Sequence, residues 1–221
     1  MAFIDRYCDS CWSQFNLRKV DEKTDRYICE TCLEHEVTEH NMRPILKRVL
    51  VYLAAFGFDD IQMDSITIHI ISKDEMLKKY GSAAGLHCGY STICNEKGRA
   101  DFHQDIYILE HYNEIRFAGT LAHELIHAWQ LEQNITDFNK YNEDDTYRKK
   151  CEGFANIGAY VVYKQIYKET KSSIAKRYID QMKAEPDEAY GVAFRQIWER
   201  CKKVGRYQII KEARMNKIQL E

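Results

Sequence analysis

The stretch T-L-A-H-E-L-I-H-A-W-Q, Thr120–Gln130, decides how the rest of this chain is read. On an α-helix each residue advances about 100°, so His123 and His127 lie only about 40° apart and one turn up. Both imidazoles can then reach one metal ion from one face. Glu124 projects beside them, within range of a metal-bound water. This is the spacing of H-E-x-x-H, two ligands and a general base. Zinc lowers the pKa of a bound water towards about 7, and the glutamate takes its proton as the nucleophile forms. The plain alternative is a solvated helix face carrying polar residues by coincidence. Leu121, Ala122, Leu125, Ile126 and Trp129 speak against it, because they make the helix largely buried. Two histidines and a glutamate buried there without partners would be strongly destabilising.

A third ligand has two nearby candidates. Glu132 stands five residues past His127, about 140° around the helix, and faces away. Glu152, in C-E-G-F-A-N-I-G-A-Y, opens the next helix after the polar run N-E-D-D-T-Y-R-K-K. An antiparallel helix packed on the first can present such a first-turn carboxylate to the metal. The alternative for Glu152 is an exposed helix-start glutamate favoured by the dipole. Glu152, Asn156, Ala159 and Tyr163 share one face at helical spacing. Gly153 and Gly158, with Ala155 and Ala159, permit close approach of the two helices. Asn156, one turn beyond Glu152, is placed to accept the other ring N–H of a metal histidine.

Four of the eight cysteines fall near the N-terminus as C-D-S-C (Cys8, Cys11) and C-E-T-C (Cys29, Cys32), with seventeen residues between the pairs. Such pairs put two thiolates each on one metal, the pattern of a structural zinc module with a short hairpin between its knuckles. Arg26–Cys29, R-Y-I-C, reads as the second strand of that hairpin. A forty-residue unit buries too little apolar surface alone, so the metal is expected to supply most of its folding energy. Cys88, Cys94, Cys151 and Cys201 are scattered; Cys88 and Cys94 flank an expected edge strand and read as packing residues, with a redox role as the alternative.

The whole chain is 221 residues with 45% hydrophobic and 12% aromatic content, enough for one full domain and a small appendage. A net charge of −2 gives no general case for binding nucleic acid or acidic lipid. M-A-F-I-D-R-Y-C lacks a signal-peptide pattern and no run is apolar enough to span a membrane, so a cytoplasmic protein is expected. The expected domains are a four-cysteine module over 1–40 and a second domain over 41–221. In the latter, a helix from Met42, stopped by Gly57, precedes a strand at Ser65–Ile71 and a short helix K-D-E-M-L-K-K-Y. Gly89–Asn95 and the D-I-Y-I-L-E segment read as further strands. Helices are expected at roughly 112–132, 146–168, 171–184, 187–203 and 206–216. A small mixed sheet followed by a helical half is an α+β arrangement.

The site resembles that of the gluzincin metallopeptidases, where H-E-x-x-H is completed by a glutamate on a later helix. More closely, Ile106–Trp129 and the later C-E-G-F-A-N-I-G-A are similar to the peptidase domain of the plant LIM-domain growth regulators, the ubiquitin-activated "DA-one" peptidases, and their bacterial relatives. The likeness covers roughly residues 1–165, most specifically 84–165. It implies a zincin-like fold, His123, His127 and Glu152 as zinc ligands and Glu124 as base. It also implies a zinc-ribbon or half-LIM module at Cys8, Cys11, Cys29 and Cys32. The expectation is therefore two zinc ions per chain and hydrolysis of protein or peptide substrates, with the module open to a protein partner. The chain departs from the family in having one set of module ligands where a full LIM domain has two, and in lacking a ubiquitin-interacting helix.

Two rival readings come from other classes. One is a protein-binding adaptor with two structural zinc sites, which would have no need of Glu124. The other is a DNA-associated protease, for which the near-neutral charge gives no support. Gly89–Asn95 is the candidate edge strand for holding an extended substrate. His87, His103, His111, Tyr160 and Tyr163 are open candidates for stabilising an oxyanion, while His69 reads as a satisfied strand residue. Lys211–Lys217 reads as a solvated helix face.

Overall fold

A computed structural model describes residues 6–21, 23–80, 89–94, 103–133 and 138–220. His87, Cys88 and Asn95 lie outside them. The N-terminal hairpin pairs β1 (Leu17–Lys19) with β2 (Tyr27–Cys29) antiparallel, Leu17 opposite Cys29, and a one-turn helix α1 (Glu30–Glu34) follows. Its core is only Cys8, Cys11, Ile28, Cys29 and Cys32.

In α2 (Met42–Phe56), Ile45, Val49, Tyr52 and Leu53 are the buried stripe, spaced at 0, 4, 7 and 8. Pro44 sits in the first turn, where its missing N–H costs nothing. Gly57 ends the helix at φ 129°, a backbone state that favours glycine, with its N–H on Leu53 and Ala54 carbonyls.

The β-branched runs then build a three-stranded sheet from β3 (Ile66–Ile71), β4 (Gly89–Cys94) and β5 (His103–Leu109) in the order β3-β5-β4. A short helix α3 (Lys73–Tyr80) follows β3. β5 lies between the other two, parallel to β3 and antiparallel to β4, so the sheet is mixed and β4 is an edge among the described residues. Ile106 and Ile108 of β5 are fully buried.

The remainder is helical: α4 (Glu114–Glu132), α5 (Phe138–Glu143), α6 (Asp145–Thr170), α7 (Ser173–Ala184), a π turn at Glu188–Val192, α8 (Ala193–Val204) and α9 (Arg206–Arg214). Thirteen of the nineteen residues of α4 are buried, which makes it the central helix rather than a surface one. Trp129 anchors its C-terminal half, edge-on to Phe58 and stacked on Phe154 of α6. α6 closes on α4 at Gly158, where a Cβ would stand 2.8 Å from the Ala122 carbonyl oxygen, and at Gly119, which faces the Tyr163 ring. Gly153 does the same service for a different neighbour: its missing Cβ makes room for Ala193 and Phe194 of α8, not for α4.

The hairpin module is bolted to this body. Fully buried Ser10 accepts from the Asn113 backbone N–H at its Oγ and from Tyr178 Oη at its carbonyl, both through short bonds of 2.8 and 2.7 Å. Arg177 reaches the Cys11 carbonyl, Arg26 reaches the Glu110 carbonyl, and Trp12 packs on Tyr178. No helix among the described residues is long and apolar enough to cross a membrane.

Candidate metal centres

Asn113 fixes where the motif helix begins. Its extended backbone ends the preceding segment, and its Oδ1 accepts the N–H groups of Ile115 and Arg116 at 3.0 Å each. From that start α4 carries His123 and His127 to the face that α6 covers. Their rings lie edge to face, with the two Nε2 atoms 3.0 Å apart. Oε2 of Glu152 stands 3.2 Å from His123 Nε2 and 3.3 Å from His127 Nε2.

Tetrahedral bonds of about 2.0–2.1 Å separate their ligand atoms by about 3.3 Å, so this donor set has the dimensions of a zinc site. The far ring nitrogens strengthen that fit. His123 Nδ1 donates to Asn156 Oδ1 at 2.9 Å, and the Asn156 amide is oriented by its own Nδ2 donating to the Tyr190 carbonyl. His127 Nδ1 donates to Gln130 Oε1 at 2.8 Å, with Gln130 Nε2 on the Cys151 carbonyl. Those two bonds fix both ring orientations, so that Nε2 of each imidazole is the atom that faces the Glu152 carboxylate.

Glu152 is buried, and not where the sequence placed it. α6 begins at Asp145, capped by Asp144, so most of the polar run Asn142–Lys150 is already helix and Glu152 stands two turns in. A first-turn position and a dipole-favoured surface role are both excluded by this. Burial alone would raise its pKa, but the facing His127 and His123 hold the carboxyl well below the usual range. Burial likewise opposes charge on His127, yet the Glu152 carboxylate pushes it up to about 9. Glu124 is buried beside the three ligand atoms. Burial pushes its carboxyl up, partly offset by the two imidazoles and reinforced by Glu152. Glu132 faces elsewhere, accepting from the Gln62 N–H and from Gln104 Nε2.

The four thiols of Cys8, Cys11, Cys29 and Cys32 are all buried and converge within 4.8 Å of one another. Cys11 and Cys29 sulfurs are 3.6 Å apart, close to the roughly 3.8 Å edge of a tetrahedron with 2.3 Å zinc–sulfur bonds. The cluster can hold a metal ion. Asn113 touches this centre as well, since its Nδ2 donates to Cys32 Sγ at 3.3 Å and to the Ser10 carbonyl. The hydrogen bond from Cys32 draws the Cys8 thiol down to about 5, while the same contact pushes Cys32 up.

No family model, curated protein or solved structure matches this chain.

Of the open oxyanion candidates, His87 lies outside the described residues and the other four are engaged elsewhere. His103 Nε2 bonds Thr67 Oγ1, His111 Nδ1 bonds Glu36, and Tyr160 packs on Phe194 and Trp198. Tyr163 stacks on Tyr178 against Gly119, and His69 is paired with Asp105 and stacked on Tyr107. Two other tyrosines stand at the site, and sequence reasoning missed both. The Tyr141 hydroxyl, carried by α5, bonds Glu152 Oε1. The Tyr190 ring lies over His123 with centroids 6.2 Å apart, presented by the π turn. Neither has a spacing relation to the motif that would single it out. Gln130, three residues past His127 and so on the same helix face, was within reach of helical periodicity.

Proposed function

We propose that this chain is a zinc-dependent peptidase with a zinc-ribbon or half-LIM module at its N-terminus. The observation that supports it is a buried carboxylate, Glu124, standing beside a three-donor cluster to which it does not contribute. A purely structural site has no use for such a group, whereas hydrolysis requires a base there. His123, His127 and Glu152 would hold the ion, with Asn156 and Gln130 fixing the rings. Bound there, zinc supplies a Lewis acid that acidifies water and polarises a carbonyl.

The residues of the chain do the rest. Glu124 takes the proton from the attacking water and gives it to the leaving amine nitrogen as the peptide bond breaks. Its burial raises its proton affinity, the direction a general base needs. Among the described residues β4 is paired on one side, by β5. Its free edge would take an extended substrate as an added strand, through main-chain hydrogen bonds that do not depend on substrate sequence. Substrates are thus peptides or proteins presenting an unfolded segment.

Glu124→Gln tests this reading. The variant is expected to keep two zinc ions per chain, to lose at least about 10²-fold in turnover, and to capture substrates that wild type releases. Cleavage at the wild-type rate with matched zinc content would remove Glu124 as the base. Failure of wild type to cleave any unfolded protein would favour the adaptor reading.

A further inference from the structure

We propose that Tyr141 is a positioning residue that makes Glu152 a one-oxygen ligand, holding Oε1 so that only Oε2 is available to the metal. This rests on the zinc reading of the His123–His127–Glu152 site.

The geometry divides the carboxylate in two. Oε2 faces both imidazole Nε2 atoms, at 3.2 and 3.3 Å. Oε1 accepts from the Tyr141 hydroxyl. A carboxylate can meet a cation with one oxygen or with both, and an unheld glutamate is free to swing between the two modes. Glu152 is buried in α6, so Oε1 without a donor would be a desolvated acceptor with nothing to pair it. A phenol hydroxyl satisfies that acceptor and fixes the carboxylate plane. A one-oxygen glutamate leaves the fourth tetrahedral position to water, whereas a two-oxygen glutamate crowds it.

Tyr141 comes from neither of the two ligand helices. It belongs to α5, the six-residue helix just before α6. The ligand geometry is therefore set from outside the α4–α6 pair, as the His123 ring is set by Asn156 and the His127 ring by Gln130. Each donor of the triad then has its own orienting side chain.

Zinc affinity is the readout, measured by chelator competition on full-length protein whose four-cysteine site stays loaded. Tyr141→Phe is expected to weaken zinc at the second site by about 10- to 100-fold, the usual cost of removing a group that orients a ligand. In a Glu152→Ala background the same substitution is expected to change nothing further, because the effect passes through Glu152. Tyr207→Phe, at an exposed tyrosine of α9, is the control and is expected to leave the affinity within about threefold of wild type. Unchanged affinity in Tyr141→Phe overturns the proposal, and so does an equal loss in the Glu152→Ala background. Absence of any second-site zinc in wild type would instead defeat the underlying zinc reading. A crystal structure of the zinc-loaded wild type decides the matter without substitution. Glu152 bound through Oε2 alone, with Oε1 on Tyr141, is expected, and a two-oxygen Glu152 overturns the proposal.

Discussion

Glu152 and Glu132 are chemically identical and follow the same histidines, yet their surroundings assign them opposite fates. Glu152 is aimed at two ring nitrogens and buried. Glu132 lies at the C-terminal end of α4, bonded to Gln62 and Gln104. Glu152→Gln is therefore expected to weaken zinc at the histidine site by at least about 100-fold, as loss of the anionic ligand exceeds loss of an orienting bond. Glu132→Gln should leave that affinity unchanged. Equal zinc affinities, measured by competition with a chromophoric chelator, would exclude the two-helix site. At this scale the sequence was informative wherever helical periodicity could be applied. It turned His123, Glu124 and His127 to one side, sent Glu132 to the other, and aligned Glu152 with Asn156. It was silent on Tyr141 and Tyr190, which reach the site from α5 and from a π turn, because only tertiary packing relates those segments to α4.

The two ligand helices meet through absent atoms. At Gly158 a methyl group would meet Ile126 and the Ala122 carbonyl, and at Gly119 it would land inside the Tyr163 ring. The Ile126 atom met is Cγ1, next to its Cβ, and the carbonyl is backbone, so neither can simply rotate away. Gly158→Ala is thus expected to destabilise the fold by about 1–3 kcal/mol. It should also push α6 away from α4 and weaken second-site zinc along with it. Chemical denaturation checks the first effect and metal competition the second; a fully stable variant with normal zinc affinity would mean the helices are not in close contact there. The sequence announced Gly158 but mistook the role of Gly153, which admits α8. A small residue declares that something comes near without saying what. Strands were legible in the same limited way. Alternating β-branched residues marked β3 and β5, but nothing local could say that they are parallel neighbours with β4 on the far side, since that follows from the crossover between them. The helix expected over 146–168 begins within a residue of its place, at Asp145, but Glu152 was set in its first turn because the polar run Asn142–Lys150 looks like a loop until Asp144 is seen capping Tyr147.

For the molecule as a whole, there are two clusters of converging donors among the described residues, each able to hold a metal ion. Elemental analysis of protein purified without added metal is expected to find two zinc ions per chain, and one or none would contradict the reading. One side chain ties the cysteine cluster to the helix that carries the histidines. Asn113 caps α4 with its oxygen and holds Cys32 Sγ and the Ser10 carbonyl with its nitrogen. Asn113→Asp keeps the capping oxygen and removes the donor, and a carboxylate beside thiolate sulfur adds repulsion. It is expected to raise hydrogen exchange across residues 6–35 while α4 stays protected. The converse pattern, a frayed α4 under an intact module, would show that the nitrogen plays no part in holding the two together.

That shared asparagine bears on how this protein can be cut. A chain begun at residue 41 would keep every ligand of the histidine site. It would lose Ser10 from the Asn113 N–H and from Tyr178, Val37 from the Tyr112 carbonyl, and Trp12 from the face of Tyr178. Tyr112 and Tyr178 are almost fully buried in the intact chain and would be laid bare. The N-terminal module is a wall of the second domain, not an ornament tied to it. A truncated version made for ease of handling should be a sticky, poorly soluble protein, and inactivity in such a fragment would say nothing about the intact chain.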